Sequence, residues 1–364
     1  MIYHLFDASP YTTKFIAFLR GHPESFAFAE HSFVIRSPEG SAFGAAAGAE
    51  SSPGTSPGTS SGTTLVYSGK RGFWATLGRV GAGDKVVIHG LFNPWLVVYL
   101  SLHPKLLRQC VWCIWGADLY LYRLKRRTVK EHLTERLRGR VIRRLGAIAC
   151  FVRGDYELAR QVYRTEAPYI HSFYPNPVDF GLLDEAQPSP GDGARTLMVG
   201  NSGDPTNRHA EILDLLAPHR GADIRIVAPL SYGDKDNALA VTRYAQERFG
   251  AKFLALSEFM PAADYVGLLA GVDVAIMNHD RQQALGNVLA ILALGKKVYL
   301  RSDTTPYSFF NEVGIKVFDT LELPRQPLDE ILAFDGETAA RNAARVRELL
   351  AEARAVAAWQ EVLA

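Results

Sequence analysis

The sequence lacks several features that would assign it to common classes of protein. It has only 3 cysteines in 364 residues, too few for the disulfide framework of a small secreted domain. It contains no run of 18 apolar residues, so it predicts no membrane-spanning helix. It also has no GxGxxG fingerprint and no GxxxxGK[ST] loop, which argues against a nicotinamide-dependent enzyme and against an ATPase.

The cysteines and the first residues of the chain exclude two further classes. Cys110 and Cys113 form a CxxC inside the apolar run CVWCIW, without a second CxxC or a histidine pair. We interpret them as buried strand residues rather than as a redox pair or metal ligands. The opening MIYHLFDASP has neither the basic start nor the apolar stretch of a signal peptide, so we expect a cytoplasmic protein.

Charge is distributed unevenly along a composition that is otherwise typical of a globular protein. The net charge is only +2, yet residues 1–180 carry 22 Lys+Arg against 13 Asp+Glu, and residues 181–364 carry 18 against 25. A basic half and an acidic half indicate that one part of the protein faces an anionic partner and the other does not. The length predicts two domains.

Short apolar runs alternate with helix-length segments in both halves, which predicts two mostly parallel sheets. The strands predicted in the first half are Ile2–Phe6, His31–Arg36, Thr64–Tyr67, Lys85–His89, Cys110–Trp115, Ala147–Val152 and Ile170–Tyr174. Those predicted in the second half are Arg195–Val199, Asp223–Ala228, Ala251–Leu256, Asp273–Met277, Lys297–Leu300 and Ile315–Phe318. In doubly wound sheets ligands bind beyond the carboxyl ends of the strands, so the loops that follow strands are the candidate sites.

Composition places the domain boundaries. Residues 38–64 are almost entirely Gly, Ser, Ala, Thr and Pro, which predicts a flexible insertion. Pro, Gly and Asp cluster again at 176–193, where we expect a linker. We therefore predict an α/β protein with an N-terminal domain at 1–178 and a C-terminal domain at 179–335. One long helix at 336–364 is expected to pack back toward the N-terminal domain.

The first candidate site is the segment VGNSGDPTN at 199–207, which follows a predicted strand and precedes a helix. Gly200 and Gly203 permit a tight turn that exposes backbone N–H groups beside a helix N-terminus, and this arrangement favours a phosphate. The polar side chains that the turn adds are those of Asn201, Ser202 and Thr206. The alternative interpretation is an ordinary turn that caps the helix.

The second candidate site is HDRQQALGN at 279–287, again between an apolar strand and an apolar helix. Arg281 could neutralise a diphosphate, and Gln282 and Gln283 could hydrogen-bond hydroxyl groups. Gly286 permits close approach of a ligand to the backbone. The alternative is a charged surface loop.

Polar groups also end two strands of the first half, in HGLFNP at 89–94 and WCIWGADLY at 112–120. Either Asp118 or His89 could act as a general base toward a hydroxyl group, and the sequence leaves the choice between them open. The competing interpretation makes His89 a satisfied histidine at a strand end and Asp118 a helix cap.

Residues 123–144 hold ten Lys/Arg against two Glu, with apolar residues at helical spacing. This pattern predicts a basic amphipathic helix on an anionic membrane surface, where each cation contributes roughly 1 kcal/mol. The alternative is a solvated face above an ordinary core stripe; nucleic acid is disfavoured because no recognition module accompanies the charge. The cations assigned to the membrane are Arg126, Arg127, Arg143 and Arg144.

Taken together, these segments resemble glycosyltransferase family 56, whose members of the enterobacterial type transfer 4-acetamido-4,6-dideoxygalactose to lipid II of enterobacterial common antigen. The resemblance rests on HGLFNPWL, IWGADLY, LMVGNSGDPTNRH, the run at Arg281–Gly286 and AVAAWQ around Trp359. Two departures are the insertion at 38–64 and RQQALGN, where the family typically has RQQGIGT.

The resemblance implies a GT-B fold, in which two Rossmann-like domains face each other across a cleft. It also implies a dTDP-sugar donor and an undecaprenyl-diphosphate-linked saccharide as acceptor, with no cofactor because the dTDP-sugar is a substrate. Carried over by position, the donor-binding residues are Gly200, Asn201, Ser202, Gly203, Asp204, Asn207, Arg281, Gln282, Gln283 and Gly286. The residues on the acceptor side are Asp118, His89, Asn93, Trp115 and Tyr120.

We therefore predict metal-independent sugar transfer at the inner face of the cytoplasmic membrane. Backbone N–H groups and Arg281 would stabilise the leaving diphosphate while Asp118 or His89 takes a proton from the acceptor hydroxyl. The DxD at Asp234 and Asp236 is interpreted as a loop without a metal. The alternatives are a UDP- or GDP-sugar donor in O-antigen or capsule assembly, a nucleotide-sugar epimerase, and a non-catalytic glycan-binding scaffold.

Overall fold

The computed structural model forms two compact units. One unit comprises Met1–Asn176 and Glu352–Ala364, and the other comprises Pro177–Ala351. The structure describes residues 1–37, 63–67, 69–124, 128–187 and 193–364. The predicted insertion at 38–64 therefore lies outside the described residues, except for Thr63 and Thr64, which begin a strand.

The first unit is built on a parallel sheet of seven strands within the described residues. The strands are β1 (Ile2–Asp7), β2 (His31–Arg36), β3 (Thr63–Tyr67), β4 (Lys85–His89), β5 (Cys110–Cys113), β6 (Ala147–Cys150) and β7 (Tyr169–His171). Their order is β3-β2-β1-β4-β5-β6-β7, and all neighbours pair in parallel. The helices between them are α1 (Pro10–Gly21), α2 (Lys70–Leu77), α3 (Pro94–Leu102), α4 (Val129–Ile142) and α5 (Arg153–Tyr163).

The second unit repeats this plan with six strands in the order β10-β9-β8-β11-β12-β13. The strands are β8 (Arg195–Val199), β9 (Ile224–Pro229), β10 (Phe253–Leu256), β11 (Val274–Met277), β12 (Lys297–Leu300) and β13 (Phe318–Asp319). The helices are α6 (Phe180–Glu185), α7 (His209–Leu216), α8 (Lys235–Phe249), α9 (Ala262–Ala270), α10 (Leu285–Ala293), α11 (Thr305–Glu312), α12 (Leu328–Leu332) and α13 (Gly336–Leu349). In both sheets the order reverses beside the first strand of the unit, as in doubly wound nucleotide-binding folds.

The central strands read as continuous apolar runs because helices cover both faces of a parallel sheet. All four residues of β5 and all four of β11 are buried. Cys110 and Cys113 are thus buried strand residues with free thiols, which confirms their interpretation from the sequence. Burial in apolar surroundings raises the pKa of Cys110 to about 12. No described helix has the length and the apolar character needed to cross a bilayer.

The end of the chain differs from the single helix predicted at 336–364. Helix α13 ends at Leu349, and a separate helix α14 (Glu352–Leu363) follows it. Val346 is buried in the second unit, whereas Trp359 is buried in the first and donates from its Nε1 to Phe173 O at 2.9 Å. The two apolar faces serve different cores, so the segment divides instead of continuing as one helix.

Close backbone packing before β6 gives a test of the first unit. A Cβ atom added at Gly146 would lie 2.2 Å from the carbonyl oxygen of Arg108, so Gly146→Ala should cost about 1–3 kcal/mol of unfolding free energy. Urea unfolding followed by tryptophan fluorescence measures this unit alone, because all 5 tryptophans lie in it. Gly21→Ala, where a Cβ meets nothing within 4 Å, is the matched control, and equal midpoints for the two variants would contradict the argument.

Candidate functional site

The two candidate loops of the second unit meet at the point where its strand order reverses. Strands β8 and β11 are neighbours in the sheet, so the loops that follow them leave the same edge side by side. Asp280 N donates to Thr206 O at 3.1 Å, and Gln283 Nε2 donates to Asn201 Oδ1 at 3.1 Å. The structure therefore brings together segments that are about seventy positions apart, in the crevice where doubly wound sheets bind ligands.

Asn207 ties the two loops together from the inside. Its side chain is fully buried, and its Oδ1 accepts from Asn201 N at 2.9 Å and lies 3.0 Å from His279 Nε2. Its Nδ2 donates to Ser202 Oγ at 3.1 Å and to Asp204 O at 2.9 Å. Burial, followed by the charge of Arg281, lowers the pKa of His279 to about 3. A neutral His279 with a proton on Nε2 fits the acceptor that Asn207 presents.

The backbone of the first loop corrects one prediction. We expected its N–H groups to face a phosphate, but four of them already have partners inside the unit. The N–H groups of Gly200 and Gly203 donate to Ile276 O and Tyr232 O at 3.1 and 2.7 Å. Those of Asn201 and Asp204 donate to Asn207 Oδ1 and Ser202 Oγ at 2.9 and 3.3 Å. These four N–H groups are therefore occupied by the fold, and the side chain of Asn207 is hydrogen-bonded within the unit.

The beginning of α10, unlike the loop after β8, has backbone N–H groups that no described side chain caps. Its N-cap residue Ala284 has a left-handed backbone with φ of +57°, and no described side chain caps the helix. The first N–H groups of a helix have no partner within the helix, and with the helix dipole they attract an anion. Gly286 lies in this first turn, and a Cβ there would come 3.3 Å from Pro177 O.

Arg281 supplies a cation next to this helix start. It is only 14% exposed, and its Nη2 lies 3.4 Å from Asp204 Oδ2. Burial works to raise the pKa of Asp204, but hydrogen bonds from Thr206 and the charge of Arg281 outweigh it and hold that pKa below the ordinary value. Asp204 thus holds the guanidinium of Arg281 in an ion pair.

Unpaired polar atoms mark the same edge of the sheet. Both ring nitrogens of His209 and the Oε1 of Gln282 are buried without a hydrogen-bond partner among the described residues. His209 opens α7, and burial lowers its pKa to about 4. Buried polar groups without partners are uncommon in folded proteins. Of the two such residues described in the second unit, Gln282 lies in the second candidate loop and His209 lies just after the first.

A pocket of about 280 Å³ adjoins the loops, and the sequence analysis missed it. Its walls are largely apolar and come from the segments that follow β8, β9 and β10. Phe259 at this pocket is 91% exposed and Tyr232 is 56% exposed, and Tyr232 OH is hydrogen-bonded to Asn201 Nδ2. The position of the two aromatic residues in the sequence was the signal that could have found the pocket: Tyr232 follows β9, the neighbour of β8, and Phe259 follows β10, the next strand along the sheet.

The DxD segment is not a loop, as the sequence suggested, but the beginning of a helix. Asp234 is the N-cap of α8 and accepts from Asn237 N at 2.9 Å, while Asp236 lies in the first turn. Carboxylates at both positions favour the helix N-terminus. Among the described residues, no group of three or more His, Cys, Asp or Glu side chains is placed to hold a metal ion.

Asp118 lies in the first unit with no exposed surface. Its Oδ2 accepts from Leu91 N at 2.9 Å and from Trp112 Nε1 at 2.7 Å, and its Oδ1 accepts from Trp115 N at 3.0 Å. Burial raises the pKa of Asp118, and these three bonds and Arg138 oppose that rise. The carboxylate holds the loops after β4 and β5 together, and its oxygens face donors of the protein itself.

The other acceptor-side candidates divide between structural contacts and the surface. Asn93 caps α3 by accepting from Trp95 N at 2.9 Å, and Tyr120 is buried with its hydroxyl 3.4 Å from Asp155 Oδ1. His89 is also buried, but its Nδ1 lies 2.5 Å from the hydroxyl of the partly exposed Tyr174. Trp115 Nε1 donates to the same hydroxyl at 2.6 Å.

The basic segment combines cations with exposed apolar side chains. Arg143 and Arg144 are exposed at the end of α4, whereas Arg126 and Arg127 lie outside the described residues. Val129 is 86% exposed and Leu133 is 54% exposed. The apolar spacing found in the sequence therefore serves the core only toward the end of α4, and its beginning presents apolar side chains to solvent.

The four hydrogen bonds of Asn207 give a test of the loop scaffold. Asn207→Ala leaves the buried N–H of Asn201 and the ring of His279 without their acceptor, so we expect a loss of about 1–3 kcal/mol of unfolding free energy. Asn311→Ala, which removes one exposed bond to Tyr307 O, is the control and should change the thermal midpoint little. An Asn207→Ala protein as stable as this control would show that the scaffold does not depend on Asn207.

Comparison with solved structures shows the fold. A glycosyltransferase from Rickettsia africae has a TM-score of 0.66 at 11% identity, covering 100% of this chain and 97% of its own. HepE from Anabaena, in complex with UDP and glucose, has a TM-score of 0.68 at 12% identity over 100% and 99%. WaaG, a glycosyltransferase involved in lipopolysaccharide biosynthesis, has a TM-score of 0.62 at 11% identity over 100% and 99%. The two Rossmann-like units are those of a GT-B fold.

The family is shown by a match of residues 77–316 to the profile described as 4-alpha-L-fucosyltransferase, glycosyl transferase group 56. The matched range spans well over half of the chain and includes both loops of the second unit, His89 and Asp118. The chain belongs to glycosyltransferase family 56 and is a sugar transferase.

Proposed function

We propose that the protein transfers a 4-acetamido-4,6-dideoxygalactose-type sugar from a dTDP-sugar to an undecaprenyl-diphosphate-linked saccharide. The observation that carries this proposal is the crevice of the second unit, where an uncapped helix start, a semi-buried arginine and an apolar pocket adjoin one another. An anion site next to an aromatic pocket fits the diphosphate and the base of a nucleotide.

Each part of the donor has a matching feature. The diphosphate would bind the first turn of α10 and re-pair Arg281, which now lies 3.4 Å from Asp204. The base would enter the pocket beside Tyr232 and Phe259, since aromatic rings stack on bases. The sugar would meet Gln282 and Gln283, whose amides can both donate and accept hydrogen bonds.

The choice of sugar draws on the family description, which names a fucosyltransferase. Fucose and 4-acetamido-4,6-dideoxygalactose share the 6-deoxygalactose skeleton, so both present a methyl group where galactose has a hydroxymethyl group. A UDP-sugar is the alternative donor, because HepE, which shares the fold, was solved with UDP and glucose. A GDP-sugar keeps the same chemistry with a larger base in the pocket.

The acceptor is assigned to the first unit. A lipid-linked saccharide requires the enzyme to work at a membrane surface, and α4 provides exposed Val129 and Leu133 together with exposed Arg143 and Arg144. Apolar side chains that enter the headgroup region and cations that attract anionic lipids are the two contributions to interfacial binding. WaaG, a structural relative, acts in lipopolysaccharide biosynthesis.

The chemistry needs no metal in this proposal. The acceptor hydroxyl attacks the anomeric carbon, the bond from that carbon to the diphosphate breaks, and the diphosphate leaves with the electron pair. Arg281 and the α10 N-terminus would stabilise the negative charge that develops on the leaving group. The proton of the acceptor hydroxyl passes to a base in the first unit, where Asp118 is engaged by three donors and His89 reaches the surface through Tyr174.

Donor binding is tested by thermal-shift titration with dTDP, UDP, GDP and NAD, each with and without EDTA. We expect dTDP to raise the midpoint independently of EDTA, because a ligand at one hundred times its Kd stabilises the native state by about 2.7 kcal/mol. Phe259→Ala should weaken dTDP binding roughly fivefold or more by removing a stacking ring. Leu321→Ala, another exposed apolar residue of the second unit, is the control.

The outcomes of this titration separate the alternatives. If UDP or GDP raises the thermal midpoint and dTDP does not, the proposed donor is wrong and the proposed reaction class stands. If the Phe259→Ala and Leu321→Ala proteins bind the nucleotide with equal affinity, the base does not bind in the pocket beside Phe259. No shift with any nucleotide would contradict the donor site as a whole.

Membrane association is tested by co-sedimentation with vesicles that contain anionic phospholipid. We expect Val129→Ser combined with Leu133→Ser to reduce the bound fraction severalfold, because two apolar side chains no longer enter the interface. Leu239→Ser, at a leucine of the second unit that is 61% exposed, is the matched control and should bind as the wild type does. Equal binding of all three proteins would rule out α4 as the membrane-binding surface.

A further inference from the structure

Three buried histidines and a tyrosine form one hydrogen-bonded chain through the first unit. His31 Nδ1 lies 2.8 Å from His4 Nε2, and His4 Nδ1 lies 3.0 Å from His89 Nε2. His89 Nδ1 in turn lies 2.5 Å from Tyr174 OH. The residues belong to β2, β1 and β4 and to the segment after β7, so the chain crosses the sheet from one strand to the next.

The register of the sheet explains this alignment. Ile2 of β1 is opposite His31 of β2, and His4 is opposite Val87 of β4. His4 is two residues beyond Ile2, and His89 is two residues beyond Val87, so each histidine is the diagonal neighbour of the next. Side chains two residues apart in a strand point to the same face, so the three rings share one face.

The chain has two possible directions and no others. A neutral imidazole has one N–H and one acceptor nitrogen, so each ring that donates on one side must accept on the other. Burial, followed by the neighbouring histidine in each case, holds the pKa values of His4 and His89 well below the ordinary value. Both rings are therefore neutral, and either all members donate toward His31 or all donate toward Tyr174.

Aromatic side chains keep water away from the middle of the chain. The His4 ring stacks on that of Phe33 with centroids 5.1 Å apart, and the His89 ring stacks on that of Phe6 at 3.6 Å. Phe15 lies against both histidines at 5.3 and 5.0 Å. The three rings are satisfied by one another and by Tyr174, so their hydrogen bonds can reverse direction together without leaving a buried polar atom unpaired.

The two ends of the chain lie at opposite edges of the sheet. Tyr174 is partly exposed, and its hydroxyl oxygen has one lone pair occupied by Trp115 Nε1–H at 2.6 Å. When Tyr174 donates to His89, its second lone pair is left to accept from an external hydroxyl group. At the other end the buried His31 begins β2 at the opposite edge of the sheet, beside the exposed Glu30. Burial lowers the pKa of His31, and the charge of Glu30 opposes that fall.

We propose that the chain Tyr174–His89–His4–His31 relays the proton of the acceptor hydroxyl to the far edge of the sheet. This inference rests on the proposed sugar transfer, in which the acceptor oxygen bonds to the anomeric carbon and the diphosphate departs. The hydroxyl proton moves to Tyr174 Oη, and the proton of Tyr174 moves to His89 Nδ1. The Nε2 protons of His89 and His4 move to His4 Nδ1 and His31 Nδ1, and the Nε2 proton of His31 passes to water.

The relay lets His89 act as a base although it is buried. No ring holds a full charge for longer than the transfer, so the aromatic surroundings do not have to solvate an imidazolium. After the product leaves, the reverse movement restores the first direction: Tyr174 releases its outward proton to water, and water protonates His31 Nε2.

The first experiment measures transfer from dTDP-4-acetamido-4,6-dideoxygalactose to an undecaprenyl-diphosphate-linked disaccharide. Tyr174→Phe removes the entry of the relay, and His31→Gln keeps a hydrogen-bonding group near His4 that cannot pass a proton on. We expect each variant to lower kcat at least tenfold with little change in KM, and the double variant to be no slower than the slower single one, because both block one pathway. His103→Gln, which lies outside the chain and contacts Tyr99 O, is the control.

The second experiment does not depend on turnover. In protein labelled with ¹⁵N at histidine, exchange of the His4 ring N–H with ²H₂O is followed by NMR. A relay delivers solvent protons to this fully buried ring, so His31→Gln should slow the exchange at least tenfold while backbone amide protection in β1 stays the same. His103→Gln should leave the exchange as it is in the wild type.

The two experiments separate the relay from the proposed reaction. If the wild type transfers the sugar and the Tyr174→Phe and His31→Gln variants do so with the same kcat, the relay is overturned and the proposed reaction stands. Additive losses in the double variant would also overturn it, since independent structural damage adds. If the wild type transfers no sugar, the reaction is refuted, and His4 exchange decides the relay: slowing in His31→Gln supports it, and equal exchange rejects it.

Discussion

The arrangement of both units depends on the reversal of strand order in a parallel sheet. Where the order reverses, the chain leaves neighbouring strands in opposite directions, and the loops that follow them cannot cover the strand ends between them. In the second unit this opening lies after β8 and β11, and it collects the start of α10, Arg281 and the side chains tied by Asn207. Functional groups from distant parts of the sequence meet there because the topology leaves no other element in the way.

The second unit separates the scaffold of its site from the groups left to bind a ligand. The loop after β8 is glycine-rich, as phosphate-binding loops often are, but it uses its N–H groups on Ile276, Tyr232 and its own side chains. Such a loop is rigid before a ligand arrives, which reduces the entropy lost on binding. In the proposed function the anion binds the uncapped start of α10 and Arg281, and the glycines after β8 serve to shape the loop.

In the first unit, buried polar groups are arranged in two ways with different consequences. Asp118 accepts three hydrogen bonds and fixes the loops after β4 and β5, so its charge is fully used by the fold. The histidines of β1, β2 and β4 satisfy only one another and Tyr174, and their direction can be reversed at no cost in hydrogen bonds. A fixed carboxylate provides geometry, whereas a reversible chain provides a path for a proton.

The amino-acid sequence by itself determined the two β/α units, the position of nearly every strand, and the two polar loops of the second unit. These follow from local patterns, since an apolar run bounded by polar residues forms a buried strand wherever it lies. Only the tertiary structure decided that the N–H groups after β8 are occupied, that Asp234 caps a helix, and that 336–364 divides between two cores. The same holds for the pocket beside Phe259 and for the chain from His31 to Tyr174, because each joins residues through strand order and register, which no local segment of the sequence encodes.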